Sequence, residues 1–362
     1  MSSTTTDRLD RLHRSLESSR ADALLVTHLP NVFYLCGFTG SNAALLILPG
    51  RMHLFTDGRY TVQARQEAMA ARVHIGRQAA TVQAARLILQ RKRPGHFRLG
   101  FDPVHLSHAE WTRLRTTLGH GIRWKPLSGL VEGLREIKAP QELEVMRQAA
   151  RLGSEVMQEV ISLVKPGVSE LDLAAEADYR MRRKGASGPS FDTIVASGPR
   201  SALPHARPTD KRLQKNELVV LDLGAILRHY CSDLTRTVYV GRAPARVRRW
   251  YKSVLEAKQA ALQALRAGQT AGNVDRAARG VLERSGLGRF FTHSTGHGLG
   301  TEVHEGPRLG RGQEQEIRVG NVVTLEPGIY VEGVGGIRIE DDIAVHASGP
   351  EVLTSAPTGL LE

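Results

Sequence analysis

Residues 218–237 read LVVLDLGAILRHYCSDLTRT. Leu218 to Leu223 is a run of strand formers with one acid, Asp222, set inside it. A carboxylate taken out of water costs several kcal/mol, on the order of a whole side chain's burial, unless a cation compensates it. A second acid, Asp233, follows in the stretch Cys231-Ser232-Asp233-Leu234-Thr235. A strand, a turn near Arg228-His229 and an antiparallel return set the two carboxylates side by side. Pairing of Asp233 with Arg236 would explain one of them without any metal, and the hairpin alone does not choose between these readings.

Further along, His293, His297 and His304 fall within twelve residues, HSTGHGLGTEVH, interleaved with glycines. Glycine lets backbone come close to a ligand or a metal, and such a cluster is unusual for a core segment. Two more runs end on acids. Val322 to Leu325 leads into Glu326-Pro327-Gly328, and Gly336-Ile337-Arg338-Ile339-Glu340 alternates so that Arg338 and Glu340 share one side of a strand. Separately, Glu326 reads as a turn acid and Glu340 as a solvated one. Taken together, Asp222, Asp233, His297, Glu326 and Glu340 make an oxygen-rich set with a single nitrogen. That set suits two hard or borderline divalent ions such as Mn²⁺, with Co²⁺ or Zn²⁺ as alternatives, and not a Cys-built structural zinc site.

Around this centre the chain reads as two domains, as its 362 residues suggest. Residues 7–20 are helical by the spacing of Leu9, Leu12 and Leu16. Ala23–Thr27, Ala43–Leu48 and Met52–Phe55 read as strands, the last two joined by a turn at Pro49-Gly50, and Tyr60–Ala71 and Thr81–Gln90 as surface helices. Strands alternating with helices predict an α/β domain. The boundary is expected at Trp124-Lys125-Pro126, after which Pro140 opens a long helix. The second domain carries a weak duplication. Gly167-Val168-Ser169 and Gly268-Gln269-Thr270 each introduce a helix that ends near a glycine, at Gly185 and Gly286.

The segments LVVLDLGA, CSDLTRT, HSTGHGLGTEVHEGP, VVTLEPGIY and GGIRIEDD resemble those of the pita-bread metallopeptidases, the family of methionine aminopeptidase, Xaa-Pro aminopeptidase and prolidase. The likeness runs from about Leu130 to the C-terminus. NVFYLCGFTGSNAALLI and LFTDGRY are similar to the creatinase-type domain of the proline-specific branch. The resemblance implies an α/β (α+β) chain, with a creatinase-like α/β domain over residues 1–126 and a pseudo-twofold pita-bread catalytic domain over 127–362. It implies that Asp222 holds one metal, that His297 and Glu326 hold the other, and that Asp233 and Glu340 bridge both. Glu326 would also move a proton. His205 would line the substrate site, His304 would contact the scissile carbonyl and the tetrahedral intermediate, and His293 would line the pocket for proline. Thr235 and Arg338 would orient the bridging carboxylates.

The activity so implied is that of an Xaa-Pro aminopeptidase acting on small peptides with proline second. A prolidase is the alternative, since Arg308 could receive a dipeptide's free carboxylate. A metal-free relative, serving as a binding scaffold or a creatinase-like enzyme, is disfavoured because every ligand position is filled. Other classes are excluded by composition. No apolar run reaches the ~20 residues of a membrane span, and Met1–Asp10 lacks the apolar core of a secretory signal. Cys36 and Cys231 form no spacing pattern, so the expected setting is a reducing, cytoplasmic one. The net charge is +12, with 18 Lys and Arg against 8 Asp and Glu in residues 1–130. Without a zinc-finger, basic-zipper or RNA-binding strand motif, this excess, including the Arg91-Lys92-Arg93 cluster, reads as solvated basic surface and not as a nucleic-acid site. A homodimer is the default assembly.

Overall fold

Leu9, Leu12 and Leu16 lie on one stripe of the first helix, α1 (Ser3–Ser18), and all three are buried. The computed structural model describes residues 3–91 and 97–361. Lys92 and Arg93 of the basic cluster lie outside the described residues. The chain divides into two compact units, Met1–Arg135 and Glu136–Glu362.

In the first unit, α1 is followed by β1 (Ala23–Val26), α2 (Leu29–Cys36), β2 (Ala44–Leu48), β3 (Arg51–Asp57), α3 (Thr61–Glu67) and β4 (Ala71–Gly76). Then come α4 (Ala80–Arg91), β5 (Phe97–Phe101), α5 (His108–Leu118), β6 (Ile122–Pro126) and α6 (Glu132–Arg135). The strands form one sheet in the order β4-β3-β2-β1-β5-β6, antiparallel at β2 and parallel elsewhere. Successive side chains of β1 and β2 serve opposite faces. Leu24, Val26, Leu45 and Ile47 enter one apolar core, while Ala23, Leu25, Leu46 and Leu48 enter the other. Both faces are covered, as the continuous apolar runs require.

Two expectations are corrected here. The helix read over Tyr60–Ala71 stops at Glu67, and Ala71 opens β4, whose Val73 and Ile75 alternate with Arg72 and His74. The domain boundary expected at Pro126 falls after Arg135. Trp124–Pro126 is the end of edge strand β6, where proline's missing N–H leaves no sheet partner unsatisfied. Leu127, Leu130, Val131 and Leu134 then pack back onto the first unit's core.

The second unit opens with α7 (Pro140–Ile161), α8 (Glu170–Arg183), β7 (Gly188–Pro189) and β8 (Ile194–Ser197). It continues through β9 (Leu218–Leu223), β10 (Ala225–Leu227), β11 (Tyr230–Cys231) and β12 (Leu234–Tyr239). Two helices follow, α9 (Ala245–Ala264) and α10 (Ala271–Arg284). The remaining strands are β13 (Gly296–Gly298), β14 (Glu305–Leu309), β15 (Val322–Leu325), β16 (Gly328–Val331), β17 (Gly335–Arg338), β18 (Asp341–His346) and β19 (Gly349–Val352). The duplication is structural. Ser169 Oγ and Thr270 Oγ1 cap α8 and α10, accepting from the N–H groups of Asp172 and Asn273 at 3.0 and 3.3 Å. Each cap residue forms an isolated bridge to the chain that leads into a central strand, Ser169 to Arg212 and Thr270 to Glu316. In one half β9 lies between β8 and β12, and in the other β15 lies between β13 and β18, all antiparallel.

Within each half the helices cover one face of the strands. Val219, Leu221 and Leu223 pack with Val156, Val160 and Leu173, and Val323 and Leu325 pack with Val254, Val274 and Ala278. The alternate residues, ending in Asp222 and Glu326, therefore occupy the faces away from the helices. Among the described residues no helix is long and apolar enough to cross a membrane.

Candidate metal centre

The hairpin expected near Arg228-His229 forms with both residues at positive φ, 46° and 69°, closing the two-residue turn between Leu227 and Tyr230. Its register puts Thr235 opposite Asp222, with Asp233 just before β12. Asp233 and Thr235 thus share a face, and Arg236 takes the other. The alternative pairing of Asp233 with Arg236 is corrected accordingly. Arg236 bonds Asp341 at 2.7 Å and donates to the carbonyls of Glu340, Ala356 and Pro357 at 2.5, 2.6 and 2.7 Å.

On the inner face the expected residues meet. Thr235 Oγ1 donates to Glu340 Oε2 at 2.6 Å and accepts from Arg338 Nε at 3.0 Å, while the same guanidinium pairs with Asp222. His297, on β13, has Nδ1 3.0 Å from the carbonyl of Gly298, which fixes that nitrogen as the N–H. Its Nε2 faces Asp233 Oδ2 at 3.7 Å and Glu326 Oε1 at 3.6 Å. Ligand-type atoms of Asp233, His297 and Glu340 all lie within 4.8 Å of one another. The flanking glycines serve close strand packing. A Cβ at Gly296 would lie 1.9 Å from the carbonyl oxygen of Thr324, and one at Gly298 would lie 2.0 Å from that of Gly306.

The electrostatics describe a site built for cations. Burial, then the charges of neighbouring carboxylates, pushes Asp233 and Glu340 well above the usual range. Burial pushes Glu326 up to about 8, against the opposing pull of Arg338. Burial also lowers His297 to about 4, which keeps a lone pair on its ring. Oδ1 of Asp222 and Oδ1 of Asp342 are buried without a hydrogen-bond partner. Clustered acids with orphaned oxygens and one neutral imidazole are the donor set of hard or borderline divalent ions, so the residues fit the metals that the sequence predicts.

Asp222, Asp233, His297, Glu326 and Glu340 line a cavity of about 290 Å³ together with His205, His304, Phe191 and Ile194. A second cavity, of about 410 Å³, shares His205, His297, His304, Glu326 and Arg338 with the first and adds Pro204, His293, Ser294, Glu305 and Arg308. All the expected site residues border one or other cavity except Thr235, which stands buried behind Glu340. The rings of His297 and His304 meet edge to face at 4.4 Å, and burial lowers the pKa of His304.

The sequence reading missed three supports. Tyr330 accepts from Arg338 at 2.8 Å and donates to His293 Nε2 at 2.9 Å. Asp342 accepts the N–H of Asp233 at 3.0 Å. Asp275 accepts from Thr295 and from both ends of the Arg279 guanidinium, whose Nη2 also bonds the carbonyl of His293 at 2.9 Å. Asp342 was findable as an acid within the apolar run of β18, while Tyr330 and Asp275 look ordinary on their strand and helix.

Residues 144–347 match metallopeptidase family M24, and residues 8–137 match the creatinase/prolidase N-terminal domain. The Xaa-Pro dipeptidase of Bacillus anthracis is 36% identical, with a TM-score of 0.94 over 99% of each chain. The X-Pro aminopeptidase of Thermotoga maritima is 35% identical, with a TM-score of 0.87 over 96% of this chain and 99% of that one. The Xaa-Pro dipeptidase of Pyrococcus furiosus is 32% identical over 98% of this chain and 99% of its own length. Matched in order over nearly its whole length, the chain belongs to metallopeptidase family M24 and carries a creatinase/prolidase domain at its N-terminal end.

Proposed function

We propose that the chain is a two-metal exopeptidase that hydrolyses the bond between an N-terminal residue and a following proline, an Xaa-Pro aminopeptidase. The observation that carries this reading is the pair of adjoining cavities, a carboxylate–imidazole cluster opening onto a space bordered by His293 and Arg308. In this reading Asp222 would hold one ion and His297 and Glu326 the other, with Asp233 and Glu340 serving both. Thr235 and Arg338 keep the bridging carboxylates in place. When bound, the ions lower the pKa of a water and polarise the scissile carbonyl. Mn²⁺ suits the oxygen-rich donor set.

The chain's own groups do the rest. His304 donates an N–H to the carbonyl oxygen as it gains charge. Glu326 carries a proton on its carboxyl from the attacking water to the departing proline nitrogen. Both nitrogens of His293 are engaged, by the Ser294 carbonyl at 2.8 Å and by the Tyr330 hydroxyl, so its ring offers carbon and not an unmet polar group. Proline has no backbone N–H to satisfy, and such a wall accepts it without loss.

One observation favours prolidase as the second reading. Arg308 borders the proline cavity and has no carboxylate within ion-pair distance among the described residues, so it is available to a dipeptide's terminus. The deciding experiment compares Ala-Pro with Ala-Pro-Ala after Mn²⁺ loading. Both should be cleaved, and Arg308→Ala should harm the dipeptide more. Inactivity on every tripeptide makes the protein a prolidase, and equal losses from Arg308→Ala remove its role. The two buried, unpaired thiols of Cys36 and Cys231, pushed up to about 12 by burial, support a reducing cytoplasmic setting. A homodimer is the assembly expected in solution, to be measured by light scattering.

A further inference from the structure

Beyond the proline cavity lies a third one of about 430 Å³, which shares His293, Ser294 and Arg308 with it. Its wall carries Arg279, Arg289, Arg308 and Arg311 and no aspartate or glutamate among the described residues. Arg279 is committed to Asp275 and to the backbone of Phe291 and His293. The others are not so held. Arg289 lies over the ring of Phe290 at 4.6 Å. Arg311 reaches Glu283 only at 3.8 Å, with both side chains more than half exposed, so solvent screens the pair. At the metal end the first cavity is bordered by Asp192, Asp222, Asp233, Glu326 and Glu340 against Arg207 and Arg338. Of these three spaces only the third is lined by basic and no acidic side chains among the described residues, since Glu305 borders the middle one beside Arg308. A peptide carboxylate that reaches the third space meets guanidinium groups and no competing acid among the described residues.

We infer that Arg289 and Arg311 form, beyond Arg308, a subsite for a carboxylate lying one or more residues past the proline, which makes anionic peptides of three or more residues the preferred substrates. The inference rests on the Xaa-Pro reading and adds the substrate class. An extended residue advances the chain by about 3.3–3.6 Å, so a terminal carboxylate or an acidic side chain after proline passes Arg308 and enters the third space. Solvated basic surface is the plainer account of exposed arginines, and it predicts no dependence of cleavage on peptide charge.

The test measures kcat/KM of the full-length, Mn²⁺-loaded protein on Ala-Pro-Glu-amide, Ala-Pro-Lys-amide, and Ala-Pro-Ala as free acid and as amide. The glutamate peptide should exceed the lysine peptide by about tenfold, mostly through KM, and the ratio should shrink as salt rises to molar concentration. In the Arg289→Gln/Arg311→Gln double variant the ratio should fall toward one. Because the ratio is taken within one protein sample, a general loss of activity cancels. Preference for the free acid over the amide assigns the subsite to the chain terminus, and a glutamate-over-lysine preference assigns it to side chains. Equal rates on all four peptides overturn the subsite while leaving Xaa-Pro cleavage in place. Failure to cut any peptide with proline second overturns the reading on which it rests.

Discussion

The two halves of the catalytic unit share a scaffold and divide the chemistry. Gly167 and Gly268 each donate to the residue before a turn, Leu213 and Ile317, at 2.9 Å. Asn216 and Gly320 then take positive φ, 65° and 91°, and donate to Val240 and Val345. The same step in numbering carries Leu213 to Ile317, Asn216 to Gly320 and Asp222 to Glu326. The first half supplies a short hairpin with two aspartates. In the second, β13 stands where β8 stands in the first, β14 is added beside it, and the 293–304 segment around them carries three histidines. A repeated scaffold thus sets Asp222 and Glu326 at matching positions, while His297 lies on β13, whose counterpart β8 carries no histidine.

The sharpest way to break this comparison is to remove one bridging acid from each half. Asp233→Asn and Glu340→Gln should each lose most bound metal and about a thousandfold or more in kcat, roughly 4 kcal/mol of barrier. Two metals per chain with normal turnover in either variant sink the division of labour. His304 belongs to the unshared segment and holds no ion in this reading. His304→Ala should cost about 10²–10³ in kcat with metal content intact. Loss of metal on elemental analysis would make His304 a ligand in place of His297.

Removing the metals probes the centre as a whole. Asp233, Glu340 and Glu326 have raised folded pKa values, so the metal-free folded chain binds more protons than the unfolded one. Its stability should fall as pH rises from about 4.5, the ordinary carboxylate range, through about 8, the folded value for Glu326. The gap in melting temperature between loaded and metal-free protein should widen over the same window, with protons released on metal uptake in calorimetry. A gap that does not change with pH would mean that the acids do not share one field.

The smallest effect tests the scaffold. Asn216→Gly should change stability by less than about 0.5 kcal/mol, since both residues tolerate positive φ. Gly320→Asn should cost about 1–3 kcal/mol. A Cβ there would lie 2.9 Å from Ile137 Cγ2 and 3.3 Å from the Lys138 carbonyl oxygen. Equal tolerance in thermal melts would mean that the halves pack alike at this turn.

Asp222 and Glu326 were legible because an acid within or ending an apolar strand is an anomaly that demands a cause. The capped helices were legible because Ser169 and Thr270 act on their own neighbours. What failed was long-range. The partner of Arg236 depends on which face of β12 it takes and on Asp341, far along the chain. Strand β4 was hidden because only two apolar residues mark its alternation. The unit boundary was misplaced because Pro126 ends an edge strand, a role that local sequence does not separate from a linker.

Arg236 binds the carbonyls of Ala356 and Pro357, Tyr251 donates to that of Thr358 at 3.0 Å, and Leu361 bridges to Val238. During synthesis the first unit has all its strands early and can fold as the chain emerges. The catalytic unit gains its last contacts only at the end of synthesis. The arginine that grips the backbone of Glu340 lacks its carbonyl partners at Ala356 and Pro357 until those residues have left the ribosome, so a chain cut short there has all five proposed ligands and still lacks part of the clasp behind them.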